Sequence, residues 1–282
     1  MAIDSVNVGG LRIGFERTGA GPALLLIGGT GMPPIAWQAC GLRDALVEAG
    51  FDVVAYASRG VAPSDAPPAP YSIPDLAADA AGLLDRLGLK DVVVVGYSLG
   101  SFTAEVLAQL RPDLVRAVVL MAGAGPLTPL LEAVVQMESD LIATIGRIPA
   151  AAAAFQTLLT GLPPATLRED ERTVSQWVQM LGMQEQMWTS IEGENGQSAA
   201  SADWLRDPYR MQALTSIRVP VLVVAFEYDL YFPPRSGRAA VARLPNGEFV
   251  EVVGAAHAGL MTHPERTREV LMEFVNRSKA SS

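Results

Sequence analysis

Short, nearly uninterrupted apolar runs alternate with longer amphipathic stretches along this chain, at 23–27, 52–57, 91–95 and 117–121. Most are rich in Val, Leu or Ile, and each is bounded by Gly, Pro or charged residues. Runs this short and this continuous suit strands of a parallel sheet buried on both faces, where neither side chain row meets water. Helical patterns at about 36–48, 74–88 and 99–110 fill the gaps. The alternation predicts an α/β fold, a mostly parallel sheet flanked by helices. The opening stretch, about 5–17, reads as an antiparallel hairpin at the sheet's edge.

The rhythm breaks near Ala124. From there to about Asp207 no strand is legible. The stretch holds an Ala run at 150–154, a Gly161-Leu162-Pro163-Pro164 punctuation that reads as a hinge, and a helical segment with Trp177, Met180, Leu181, Met187 and Trp188. Alternation resumes with a strand at 219–225, a helix near 235–243, a strand at 248–253 and a last helix at about 264–276. The organisation expected is one core domain, 1–124 with 207–282, interrupted by a helical lid over 125–206. With half its residues hydrophobic, the chain can fill one large core.

Gly96-Tyr97-Ser98-Leu99-Gly100 matches G-x-S-x-G and stands between the run at 91–95 and the helix starting near Leu99. In that context the serine occupies a strained strand-to-helix turn that presents its hydroxyl above the sheet edge. The Leu99 N–H, at the helix start, then faces the place where a tetrahedral intermediate develops negative charge.

A serine nucleophile needs a base, and the chain has two histidines. His257 lies in the small-residue loop Gly254-Ala255-Ala256-His257-Ala258-Gly259, directly after a strand, and is read as the base. His263 precedes Pro264 and is read as a helix-start residue. The base needs a carboxylate to fix its tautomer. Asp229, at the end of the run 219–225, is preferred because it sits further into the loop, and Glu227 is its competitor. The order Ser, Asp, His is the one this elbow motif carries. A second oxyanion donor is expected from the glycine loop Gly28-Gly29-Thr30-Gly31, with the Thr30 N–H as the candidate.

These elements together resemble the α/β-hydrolase superfamily, in its lid-bearing esterase and haloperoxidase-like branch. The resemblance rests on Gly-Gly-Thr-Gly at 28–31, Ser-Arg-Gly-Val-Ala-Pro-Ser at 58–64, the elbow, Glu227-x-Asp229 and Gly254-x-x-His257, and covers nearly the whole chain outside 125–205. It departs from the usual pattern at Gly28-Gly29, where His-Gly is common, and at 57–64, where Asp-x-Arg-Gly-x-Gly-x-Ser is. The resemblance implies the α/β-hydrolase fold and an acyl-enzyme reaction on an ester or thioester of a small, largely apolar acyl group. The final acceptor is water or another nucleophile. The alternatives are a cofactor-free perhydrolase or haloperoxidase-type enzyme, and a ligand-binding member without turnover. Relatives with an aspartate nucleophile, or with Asn before the serine, do not match Ser98 and Tyr97.

Candidate pocket residues are Gly29, Tyr97, Trp177, Met180 and Trp188, the last three with Leu181 on one helical face of the lid. The substrate expected is a small acyl molecule, free or presented on a carrier protein or coenzyme A. No dinucleotide fingerprint, phosphate loop, zinc spacing or iron–sulfur pattern is present, so neither cofactor nor metal is expected. A net charge of -9 argues against nucleic acid and anionic membranes as partners. One cysteine, Cys40, excludes an intrachain disulfide, and the N-terminal residues lack the pattern of a secretory signal. The expected location is the cytoplasm.

Overall fold

The computed structural model describes residues 3–279. The sheet consists of β1 (Asp4–Val8), β2 (Leu11–Gly19), β3 (Ala23–Ile27), β4 (Asp52–Tyr56), β5 (Val92–Tyr97), β6 (Val115–Met121), β7 (Val221–Phe226) and β8 (Gly247–Val252). Their order in space is β1-β2-β4-β3-β5-β6-β7-β8. β1 and β2 run antiparallel, with Val6 opposite Ile13, and the six strands from β4 to β8 in this order are parallel. The expected edge hairpin is therefore present.

β3, β4, β5 and β7 are buried along their whole length, for the reason their composition suggested. Leu25 and Ile27 of β3 belong to a core layer on one face of the sheet, with Val94, Phe102 and Leu107. Leu24 and Leu26 belong to the opposite layer, with Trp37, Val93 and Phe274. Successive side chains of a strand point to opposite faces, so only a continuous apolar run satisfies both layers.

Before the rhythm breaks, the helices are α1 (Ile35–Ala39), α2 (Leu42–Glu48), α3 (Ile73–Leu87) and α4 (Leu99–Leu110). The single helix read over 36–48 is two, because the chain passes through Gly41 at φ 72°. The helix read over 74–88 is sharply started: the Ser72 hydroxyl accepts from the Asp75 N–H while the Asp75 carboxylate accepts from the Ser72 N–H.

Five helices follow over the stretch without strands: α5 (Pro129–Ile145), α6 (Ala150–Gly161), α7 (Pro164–Glu169), α8 (Glu171–Leu181) and α9 (Ile191–Arg206). Glu169 ends α7 and Asp170 caps α8, its carboxylate accepting from the Thr173 N–H at 3.0 Å. One sequence expectation is corrected here. Trp177, Met180, Leu181 and Trp188 do not share a helical face. α8 ends at Leu181, a 3-10 turn covers Gln184–Met187, and Trp188 follows it in extended backbone. The core then resumes with α10 (Arg210–Ala213), α11 (Pro234–Val241), α12 (Gly259–Thr262) and α13 (Pro264–Lys279). Among the described residues no helix is long and apolar enough to cross a membrane.

Candidate active site

Four loops converge at the C-terminal ends of parallel strands, which is where open α/β sheets place their ligands. They follow β3, β5, β7 and β8. Ser98 sits between β5 and α4 with φ 53° and ψ -119°, a left-handed conformation that a side chain rarely adopts. Neighbouring contacts hold it there. The Ser98 N–H donates to the Met121 carbonyl at 2.8 Å, and the Ser101 hydroxyl donates to the Gly96 carbonyl at 3.0 Å. A side chain at Gly100 could not be accommodated, since its Cβ would lie 2.1 Å from the Ile27 carbonyl oxygen. That close approach lets α4 begin directly under the serine.

The structure brings Ser98, His257 and Asp229 into one row. Ser98 Oγ lies 3.1 Å from His257 Nε2, and His257 Nδ1 lies 2.8 Å from Asp229 Oδ2. Asp229 is buried, 2% exposed. Its other oxygen, Oδ1, accepts from the N–H groups of Tyr231 at 2.8 Å and Phe232 at 3.0 Å. Both carboxylate oxygens are thus committed, which fixes the plane presented to the imidazole. Glu227 is occupied elsewhere, accepting from the Gly254 N–H at 2.8 Å. His263 is away from the serine: its Nδ1 pairs with the Thr262 hydroxyl at 3.0 Å, and its carbonyl accepts from Thr267 at the start of α13.

Aromatic side chains enclose the imidazole. The Tyr231 ring meets it edge-on with centroids 4.9 Å apart, and Tyr97 stacks on it at 5.9 Å. The Tyr97 hydroxyl donates to the His257 carbonyl at 2.8 Å, and burial raises its pKa. Tyr97 packs in the core layer of Leu24 and Trp37, and its hydroxyl ties that layer to the histidine loop. Tyr231 was not anticipated from sequence, although it lies two residues beyond Asp229 in the same loop.

The glycine loop after β3 approaches the serine directly, and a Cβ at Gly29 would lie 3.2 Å from Ser98 Cβ. The next residues form a turn closed by the Met32 N–H donating to the Gly29 carbonyl at 3.1 Å. Thr30 is exposed within this turn and Leu99 is buried as the first residue of α4. Of the pocket candidates within 125–206, Trp177 is partly buried and approaches Gly161, and Trp188 is partly buried against Gly31. Met180 is 47% exposed. Among the described residues no group of three His, Cys, Asp or Glu side chains converges as a metal would need.

A family model described as the alpha/beta hydrolase fold matches residues 22–264. The chain is 28% identical over 270 residues to BpoC of Mycobacterium tuberculosis, a candidate non-heme bromoperoxidase, covering 96% of this chain and 100% of that one. The BpoC crystal structure superposes with a TM-score of 0.84, over 99% of this chain and 97% of that one. A hydrolase from Pseudomonas aeruginosa superposes at 0.81 with 26% identity, over 97% and 98% of the two chains. A 2-hydroxy-6-oxononadienedioate/2-hydroxy-6-oxononatrienedioate hydrolase of Burkholderia vietnamiensis is 28% identical over 275 residues, covering 95% and 92%.

Proposed function

The chain belongs to the alpha/beta hydrolase fold family, and we propose that within it this protein is a serine hydrolase or acyltransferase that works through an acyl-enzyme. The reading is carried by the continuous row from Ser98 Oγ through His257 to Asp229, with contacts of 3.1 and 2.8 Å. Neutral His257 accepts the Ser98 hydroxyl proton on Nε2 while Oγ bonds to the acyl carbon. Its Nδ1–H donates to Asp229, which stabilises the imidazolium that forms. The amides of Leu99 and Thr30 take the oxyanion. The imidazolium then returns its proton to the leaving alcohol or thiol. Water or another nucleophile, activated by the same histidine, releases the acyl group and restores Ser98.

The apolar and aromatic surroundings favour a small, largely apolar acyl group, brought as an ester or thioester. The site needs no cofactor for this chemistry. A second reading is favoured by the name of BpoC. In it hydrogen peroxide takes the place of water: its oxygen bonds to the acyl carbon, the Ser98 oxygen leaves and is reprotonated, and a peroxy acid is released. Charging the enzyme with an activated ester and partitioning the acyl group among water, peroxide, an alcohol and a thiol separates these outcomes. Labelling by a fluorophosphonate tests the reading common to all of them. A protein that binds esters but neither labels nor turns over belongs with the non-catalytic members of the fold.

A further inference from the structure

Gln197 lies in the middle of α9, within a stretch whose sequence carries no catalytic signal. Its side chain is fully buried, and a buried amide is costly unless its polar groups are paired. Oε1 accepts from the main-chain N–H of Gly31 at 3.0 Å. Nε2 donates to the carbonyl of Arg59 at 2.9 Å. One partner can only donate and the other can only accept, so the amide has a single orientation. From one lid helix it ties together the loops that follow β3 and β4.

The loop it holds is the one proposed to supply the second oxyanion donor. Gly31 follows Thr30 directly and adopts φ 65°, a conformation that leaves a glycine-rich turn many alternatives unless neighbours remove them. Gln197 removes them from one side. Trp188 removes them from another, since a Cβ at Gly31 would stand 2.7 Å from its Cζ2. Trp188 is in turn fixed to the loop after β4. It pairs with Val61 as an isolated bridge, and the flanking bonds run from the Ala62 N–H to the Met187 carbonyl and from the Thr189 N–H to the Gly60 carbonyl, both at 2.9 Å.

We infer that Gln197 is a positioning residue for the oxyanion site, setting the direction of the Thr30 amide through its bond to Gly31. The lid thereby becomes part of the catalytic geometry and not only its cover. This rests on the assignment of Ser98 and Thr30 proposed above. An oxyanion donor must be held to within a fraction of an ångström, so slack in the turn acts on the chemical step more than on ground-state binding.

The test compares Gln197→Met, which removes both bonds, with Gln197→Glu, which keeps the volume and the Gly31 acceptor but loses the donor to Arg59. Ester turnover is measured per serine titrated with a fluorophosphonate, so misfolded protein does not count. Affinity for phenylboronic acid, whose tetrahedral serine adduct carries an oxyanion-like oxygen, is measured alongside. Gln197→Met is expected to lower kcat by about 10- to 100-fold with KM changed by less than about threefold, and to weaken phenylboronic acid in parallel. Gln197→Leu, which likewise removes both bonds, moves the same way and carries the test where Gln197→Met does not fold, whereas Gln197→Glu, which keeps the acceptor for the Gly31 N–H, loses less than either. Titrated Gln197→Met or Gln197→Leu that keeps kcat and boronate affinity within about twofold, or that changes only KM, overturns the inference while leaving the serine assignment intact. A wild-type protein that neither labels nor cleaves esters overturns that assignment, and the inference with it.

Discussion

The main-chain N–H of His257 donates to the carbonyl of Thr160 at 3.1 Å, and the next amide, Ala258, donates to Gly161 at 3.2 Å. The loop that carries the proposed base therefore hangs from the C-terminal end of α6, in the helical stretch proposed as a lid. The sequence punctuation at 161–164, read as a hinge, begins with this anchor.

Gly161→Val tests the anchor. A Cβ at Gly161 would lie 3.3 Å from Ala258 Cβ and 3.7 Å from the Trp177 ring. The two further methyl groups of valine have to displace one of these neighbours. The expected result is a fall in kcat of about 10- to 100-fold through misplacement of His257. Steady-state kinetics on protein shown by circular dichroism to be folded decides it, and an unchanged kcat would show that the anchor is not needed.

The two histidines should separate cleanly. His257→Ala is expected to cost nearly as much activity as loss of the serine, about 10³-fold or more, because the two act as one unit. His263→Ala is expected to retain activity and to lose about 1 kcal/mol of stability or less, because alanine keeps the carbonyl that accepts from Thr267 and only the side-chain bond to Thr262 is lost. Reversed behaviour in paired activity and melting measurements would mean that the base is His263.

What the sequence disclosed, and what it did not, follows from where the information lies. β3 was legible to the residue, since burial on both faces leaves no polar position to blur its ends. The positions of Ser98, Asp229 and His257 were legible because each lies in the loop after a strand, β5, β7 or β8, and strand ends fix loop positions. The choice between Glu227 and Asp229 was argued from loop position. Two residues apart, they meet different partners, the Gly254 amide and the imidazole. The stretch from α5 to α9 was legible as helical and without strands, but not in its separate helices. Thr160 and Gly161 act through main-chain carbonyls, which any residue possesses, and Gln197 acts through an amide whose partners lie 166 and 138 residues away. No local pattern encodes such contacts. Trp188 was misplaced for a related reason, since helical spacing continued on paper past the point where α8 stops.

Trp188 and Met180 should behave oppositely. Trp188→Ala removes the ring that packs on Gly31, in the turn proposed to hold the oxyanion. It is expected to lower kcat and to cost stability near the low end of the roughly 3–5 kcal/mol typical of buried Trp→Ala changes, because the ring is only partly buried. Met180→Ala, at an exposed position, is expected to stay within about 0.5 kcal/mol of wild type. A chain-length series of esters on both variants shows whether either one changes acyl preference.

Glu138, on α5, accepts from Gln156 Nε2 at 2.6 Å, and the same nitrogen donates to the Tyr231 hydroxyl at 2.8 Å. Burial raises its carboxyl above the ordinary glutamate value of 4.5, outweighing the hydrogen bond from Gln156. A raised folded-state pKa means that the native protein holds this proton more tightly than the unfolded chain does. Its contribution to stability is therefore fully present below the unfolded value and is lost as pH rises through the folded value. Glu138→Gln, which keeps an acceptor for Gln156, is expected to raise the melting temperature at pH 8 relative to wild type and to leave it little changed at pH 4. An equal shift at both pH values would show that ionisation of Glu138 does not matter to stability.

The most direct test of the nucleophile is active-site labelling combined with turnover by Ser98→Ala. The wild-type protein is treated with a fluorophosphonate and digested, and the modified residue is located by mass spectrometry, while ester hydrolysis is assayed for both proteins. Modification confined to Ser98, with turnover by Ser98→Ala reduced by roughly 10³- to 10⁶-fold and melting near wild type, is the expected result. Ester cleavage by Ser98→Ala at the wild-type rate, or a label elsewhere in the chain, would contradict it.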